Sequence, residues 1–418
     1  MDFESITVFD LRSAASWAAP LIFAVTIIGV AVGRFPYLRM NRATIALVGA
    51  TALVLFGGIS LDSAFDLLDW NTLSLLLAMM ILNANLRISG FFQWISFRLL
   101  HSTHSPVFFL GLTIAFSGIL SSLLLNDTIV LMFTPIILEI ARTQRRNPVP
   151  FLMALALSAN IGSAATLIGN PQNMLIGIAS GISFIHFAAV LAPLSLLCLG
   201  IVMLLVWLVY RRDFQGEFKL PDRAAPPRTY HPLLIKSLLA CGLMLAGLIA
   251  GLPLPLAALS GAGMLLVTRR LKPERVFREV DWSLLVLFAG LFVVTGAIEE
   301  IQLGEVLLSA AEPLMQGGVS ALTLTSAALS NLVSNVPAVL LLKPIVARSL
   351  DPTLSWLTLA MATTFAGNLT LFGSVANLIV AELARREGVK LTFGEYLKSG
   401  IPVTALSLAI GILWFGRY

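Results

Sequence analysis

Asp127 is the only charged residue between Pro106 and Leu138, a stretch otherwise apolar enough to sit inside a membrane. On insertion scales an Asp at a helix centre costs roughly 2.5 to 3.5 kcal/mol. A retained one therefore points to ion chemistry: Asp127 carries a coupling proton or pairs with a coupling cation. The competing structural reading is that it caps a half-helix starting at Thr128. Around it lie residues whose oxygens and amides could bind a small polar solute. Four polar interruptions break long apolar runs: Asn126-Asp127-Thr128, Ser334-Asn335-Val336-Pro337, Thr166 to Asn173 with Gly169 and Asn170, and Thr370 to Asn377 with Gly373 and Ser374. Asn160 and Asn368 lie at the two longer breaks. Non-helical backbone at membrane depth is tolerated only where protein or a water-filled cavity satisfies its polar groups. At each tip the next half-helix begins with free N–H groups and a positive dipole end, which favour anions or oxygen-rich solutes. Asn and Thr add oxygen ligands of the kind that suit Na⁺. Turn formation alone accounts for one such loop; four loops in two matched pairs point to a substrate and ion site.

Other chemistry lacks its residues. No HExxH or GxSxG motif occurs, and one deep acid cannot make an aspartyl pair, so no catalytic residue and no enzyme activity is expected. His101, His104 and His186 have no metal-ligand spacing, and no metal site or cofactor is expected. Cys198 and Cys241 lie in apolar stretches and read as core residues. Glu139 reads as an i, i+3 partner of Arg142, and Lys343 as a side chain that snorkels to the outer surface.

The elements that must hold these residues are membrane helices. The chain has 418 residues, 58% hydrophobic and only 12% charged, against about 25% charged in soluble domains. From Phe151 through Tyr210 there is no Asp, Glu, Lys or Arg, room for at least two crossings of about 20 residues. The blocks are continuously apolar and do not alternate, which excludes an outer-membrane β-barrel. The formal charge of +5 needs no nucleic-acid partner, because cytoplasmic loops of membrane proteins carry excess Lys and Arg. The acidic N-terminus lacks the basic region of a cleaved signal peptide.

Two halves repeat. Leu120 to Ile136 matches Leu329 to Ile345 at an offset of 209, with Ser121/Ser330, Asn126/Asn335 and Pro135/Pro344 in one frame. Asp69-Trp70 answers Asp281-Trp282, and Thr166, Gly169 and Asn173 answer Thr370, Gly373 and Asn377. The expected organisation is a first repeat over 1–210 (hairpin about 107–141, broken helix about 151–179), a cytoplasmic linker over 211–231, and a second repeat over 232–418 (hairpin about 319–346, broken helix about 354–383). Spans begin at Ser16, Ala43 and Thr72, and Phe91 to Leu100 reads as an interfacial helix. With the hairpins counted as re-entrant, every large basic cluster falls on the inside and both termini outside. Five crossings per repeat is odd, so the second copy is inverted. The fold class is thus an all-α polytopic membrane protein of two inverted-topology repeats, with about ten transmembrane helices, two re-entrant hairpins and two broken helices. Such repeats mark secondary transporters, whose sites lie where discontinuous helices meet; a passive anion channel is the alternative from another class.

The motifs LLNDTIVLMFTP, ANIGSAATLIGNPQN (Ala159 to Asn173), SNVPAVLLL (Ser334 to Leu342) and AGNLTLFGSVANLIVAE (Ala366 to Glu382) resemble the ion-transporter superfamily. That superfamily includes arsenical-pump membrane proteins, NhaD-type Na⁺/H⁺ antiporters and citrate and dicarboxylate permeases. The resemblance implies a scaffold part, a moving part built from hairpins and broken helices, an inner or plasma membrane location and a homodimer. The dicarboxylate branch carries Ser-Asn-Thr at both tips; here they read Leu-Asn-Asp and Ser-Asn-Val. The Asn-Asp pair resembles the arsenical-pump branch, which implies proton-driven efflux of arsenite, antimonite or a related inorganic anion, and a cytoplasmic ATPase partner where the pump is of that type. Na⁺- or H⁺-coupled dicarboxylate or citrate transport and Na⁺/H⁺ antiport are the alternatives. The resemblance implies no cofactor, the driving force being the proton gradient or, in the alternative, Na⁺.

Overall fold

The computed structural model describes residues 3–33, 38–56, 58–101, 105–217, 229–268, 271–300 and 317–417. His104, Arg269, Arg270, the loop at Glu305 and most of the 211–231 linker lie outside the described residues. Among those described, every regular element is helical. In the first half these are α1 (Phe3–Val32), α2 (Arg42–Leu55), α3 (Leu61–Asp66), α4 (Trp70–Ser89), α5 (Phe91–His101), α6 (Pro106–Leu123), α7 (Asn126–Thr143), α8 (Val149–Ser163), α9 (Pro171–Ser180) and α10 (Phe184–Val209). The second half contains α11 (His231–Ile249), α12 (Leu254–Leu266), α13 (Pro273–Phe277), α14 (Trp282–Glu300), α15 (Gly318–Val333), α16 (Asn335–Ala347), α17 (Pro352–Ala366), α18 (Val375–Arg386) and α19 (Phe393–Phe415). Element order therefore repeats, down to the short helices α3 and α13.

Among the described residues α4, α6, α10, α11 and α19 are long and apolar enough to cross a membrane. Their outward faces are apolar too: Leu196 and Leu204 on α10, Ile235 and Leu239 on α11, and Leu406 and Leu413 on α19 are all exposed. Water would not tolerate so much contiguous apolar surface, and lipid does. The protein is a multi-pass membrane protein. By contrast α8 is buried from Pro150 to Ser163, and α17 from Trp356 to Ala366. Helices apolar all round belong inside a bundle. The two broken helices are thus the centre of the molecule.

Helix starts follow local chemistry. Asn41 caps α2 through a reciprocal capping box with Thr44, and the Asp69 side chain accepts from the N–H groups of Asn71 and Thr72 at the start of α4. The α1 helix begins at Phe3, well before the span expected from Ser16. Hydropathy marks where charge ends, whereas the helix continues back through Asp10 and Arg12 because no Gly or Pro interrupts that stretch.

The halves do not pack as separate bodies. α2 lies on α14 and α4 on α12, while α7 lies on α18 and α9 on α16. α8 meets α18 as α9 meets α17, and α10 meets its own counterpart α19. Exchanging each helix for its repeat partner turns each of these contacts into another of the set, the pattern of an approximate two-fold. α6 crosses α8 at close range, where a Cβ on Gly162 would sit 2.2 Å from the Gly118 carbonyl oxygen. A chemically odd joint closes the second hairpin: Ser334 has φ +78° and ψ 161°, a conformation that is essentially glycine's alone.

Gly162→Ala is expected to destabilise the purified protein by about 1–3 kcal/mol through overpacking, read as a lower thermal unfolding midpoint in detergent. Gly200→Ala, on an open face of α10 with no atom within 4 Å of the new Cβ, should leave that midpoint unchanged or raise it. Ser334→Gly removes strain worth about 1–3 kcal/mol, partly offset by a freer unfolded chain; the midpoint should rise.

Candidate functional site

Each broken helix leaves backbone carbonyls exposed at its gap, and the same side chain closes both gaps. The Asn173 Nδ2 donates to the carbonyls of Thr166 at 2.9 Å and Ser163 at 3.3 Å. In the second half, the Asn377 Nδ2 donates to the carbonyls of Thr370 at 3.2 Å and Gly367 at 2.8 Å. These are equivalent bonds in equivalent places. Asn170 and Ser374 are the N-caps of α9 and α18. They also reach across: Ser374 Oγ donates to Asn160 Oδ1 at 3.0 Å, and Asn170 Nδ2 donates to Thr364 Oγ1 at 3.5 Å. Asn160 and Thr364 occupy the same position in α8 and α17, so the two breaks clasp each other reciprocally. Gly169 is required, since a Cβ there would lie 2.3 Å from the Ser163 carbonyl; Gly373 is packed against Asn331 and the Gly367 carbonyl.

Asn160 is the hub. Its Oδ1 accepts from Asn126 Nδ2 at 3.1 Å as well as from Ser374, and its Nδ2 donates to Asn368 Oδ1 at 2.9 Å and Asn377 Oδ1 at 3.1 Å. Asn368 in turn donates to the Leu157 carbonyl at 3.0 Å. The first hairpin tip docks onto the first break through Asn126 N–H to the Gly169 carbonyl at 3.1 Å, and Thr166 Oγ1 donates to the Ser122 carbonyl. At the second tip, Ser330 Oγ donates to Asn335 Oδ1 at 2.6 Å, and Thr370 Oγ1 donates to Asn331 Oδ1 at 3.4 Å. Ser334 itself joins α15 to α16 without a side-chain cap bond. Two buried amide oxygens, Asn126 Oδ1 and Asn173 Oδ1, and the Ser121 hydroxyl have no partner. The cluster is therefore neutral, rich in hydrogen-bonding groups, and short of donors.

Asp127 and Thr128 stand apart from that cluster. They line a cavity of about 150 Å³ together with Asn83 and Arg87 of α4, and Glu279 and Asp281 ahead of α14. Asn83 Nδ2 donates to Thr128 Oγ1 at 3.4 Å, and Arg87 is paired with Glu279 at 2.6 Å. No side chain among the described residues bonds the Asp127 carboxylate. Capping does not account for it: α7 starts at Asn126, its N-cap is Leu125, and no side chain caps it. Arg142 pairs not with Glu139 but with Glu387 at 2.9 Å, because the ends of α7 and α18 pack together and Glu387 is the C-cap of α18.

Sequence reasoning missed Asn83, Arg87, Glu279, Asp281 and Asn331. Asn83 and Asn85 inside an apolar span were the legible sign for the first, since amides there need a partner or a purpose. The acids ahead of α14 reach Asp127 only through tertiary packing.

The match to known proteins covers most of the chain. Residues 21–366 match the family described as citrate transporter. A 46 kDa membrane protein of Mycobacterium leprae is 32% identical over 95% of this chain and 99% of its own length. The silicon efflux transporter LSI3 of Oryza sativa subsp. japonica is 32% identical over 91% of this chain and 94% of its own. A putative transporter arsB of Dictyostelium discoideum is 27% identical over 97% and 93%. Among solved structures, the YdaH transporter of Alcanivorax borkumensis shares the fold with a TM-score of 0.60 at 16% identity, over 96% of this chain and 97% of that one. With a family match running from α1 to α17, and relatives named as transporters over nine-tenths of its length, the chain belongs to the citrate-transporter family of the ArsB/NhaD-type superfamily and is a membrane transporter.

Proposed function

We propose that the protein is a proton-coupled secondary transporter that exports a small inorganic hydroxide or oxyanion, arsenite and antimonite in the first place, by alternating access. One observation carries this reading: the unpaired Asp127 carboxylate shares a hairpin tip with Asn126, which belongs to a neutral, donor-poor amide cluster. A neutral hydroxide supplies O–H donors, which is what the free oxygens of Asn126 and Asn173 lack. The relative named for silicon efflux supports the same class of cargo, since silicic acid is also a neutral hydroxide. Citrate fits less well. A multiply charged carboxylate needs Arg, Lys or bound cations, and the amide cluster contains none, while Arg87 is already held by Glu279. The site residues are Asn126, Asn160, Asn173, Asn335, Asn368, Asn377 and the Ser and Thr around them, with Asp127 as the coupling group. The reciprocal contacts of the two halves, together with the order of basic loops, support inverted repeats in an inner membrane, both termini outside.

Asp127→Asn should reduce gradient-driven transport at least 100-fold in proteoliposomes offered arsenite, antimonite, silicic acid, citrate or Na⁺ under an imposed proton gradient, with the fold intact. Unaltered pH-dependent flux in that variant would sink the proposal, and accumulation of citrate alone would replace the cargo. Asn160→Ala removes four hydrogen bonds from buried partners, each worth about 1–3 kcal/mol when left unmade. Its unfolding midpoint should fall clearly, and transport should be lost for every cargo.

A further inference from the structure

The cavity at Asp127 has the wrong charge for the cargo. Its walls hold three carboxylates, Asp127, Glu279 and Asp281, against one guanidinium, Arg87. Even with Arg87 spent on Glu279, a formal excess of two negative charges remains, and a narrow low-dielectric cleft focuses such a field. An anion is repelled there, and a cation is drawn in. A second observation is independent of the acids. Asn83 is 3% exposed, lines the same cavity, and its Oδ1 has no hydrogen-bond partner. A buried acceptor left open beside an unpaired carboxyl is what a carboxylic O–H, a hydronium ion or a cation would satisfy. The other walls add no charge: α9 contributes Pro171 and α18 contributes Val375 and Ile379. Arg98 of α5, Glu139 and Arg142 of α7 itself, and Glu382, Arg385 and Arg386 of α18 do not line it.

We propose that this cavity is a proton-access site, separate from the amide cluster, in which Asn83 accepts from protonated Asp127 and the Arg87, Glu279 and Asp281 charges set how readily that proton is held. The inference rests on Asp127 being the coupling group. It adds that a framework helix and the segment ahead of α14, not the moving hairpin alone, tune the coupling. Arg87, Glu279 and Asp281 are positioning residues, since they act through Asp127. The two repeats also part company here, because the matching tip residue of the second hairpin is Val336.

The test needs no knowledge of the cargo. The infrared carboxyl band of protonated Asp127, identified by its loss in Asp127→Asn, is titrated in the full-length protein in detergent. Asp281→Asn keeps the helix cap on Leu284 N–H, because Asn caps as well as Asp, and should move the midpoint to lower pH by about 0.5 unit. Glu279→Gln should move it the same way, Arg87→Gln should move it to higher pH, and the Arg87→Gln/Glu279→Gln pair should return it to the starting value. Raised salt should shrink each shift. Midpoints that stay put in Asp281→Asn and Glu279→Gln would overturn the inference, as would loss of the band on adding Na⁺ at constant pH. Those results leave the flux loss in Asp127→Asn standing, so failure here is distinguishable from failure of the transport reading.

Discussion

Opening a helix at membrane depth strips backbone carbonyls of their partners, and the whole architecture depends on one way of replacing them. Asn173 and Asn377 each turn an amide back onto two carbonyls of their own gap. Ser374 and Asn170 then tie each gap to the intact helix of the other half. The groups involved are buried, so each bond left unmade would cost about 1–3 kcal/mol. Each broken helix is thus bonded to the other. α8 is buried from Pro150 to Ser163 and α17 from Trp356 to Ala366, and the repeats interleave instead of folding side by side.

On that shared frame the halves diverge at their tips. The first enters α7 through Leu125 in ordinary extended backbone and carries Asp127. The second enters α16 through the strained Ser334 and carries Val336. In the second half Ser330 closes onto Asn335, whereas the equivalent Ser121 and Asn126 oxygens are left open. The open groups and the lone acid thus fall in the same half. Two similar frames with unlike tips thus place the open Ser121 and Asn126 oxygens and the Asp127 carboxylate on one hairpin, facing different neighbours.

Much of this was legible in the sequence, because a membrane forces backbone breaks to be polar. The hairpin tips at Asn126 and Asn335 and the gaps before Asn173 and Asn377 interrupt runs with no charge, and their matched spacing exposed the repeated element order. What the repeat could not give was which amide meets which. Asn160 and Asn368 look alike in sequence, yet Asn160 corresponds to Thr364, and its four partners come from both halves. Several residues read as ligands, Asn170, Asn173, Ser374 and Asn377 among them, have donors or acceptors committed to backbone. The Arg142–Glu387 pair and the Asn83, Arg87, Glu279 and Asp281 cavity depend on helix packing between distant segments, which no local pattern encodes.

The central claim is that movement of cargo and proton is one event governed by Asp127. Its most direct test records both fluxes in the same proteoliposomes, a pH-sensitive dye reporting protons while arsenite or silicic acid is measured directly. A fixed ratio of protons moving opposite to cargo, constant as either gradient is varied, is the result expected. Cargo that saturates and moves with no accompanying proton flux would contradict the account.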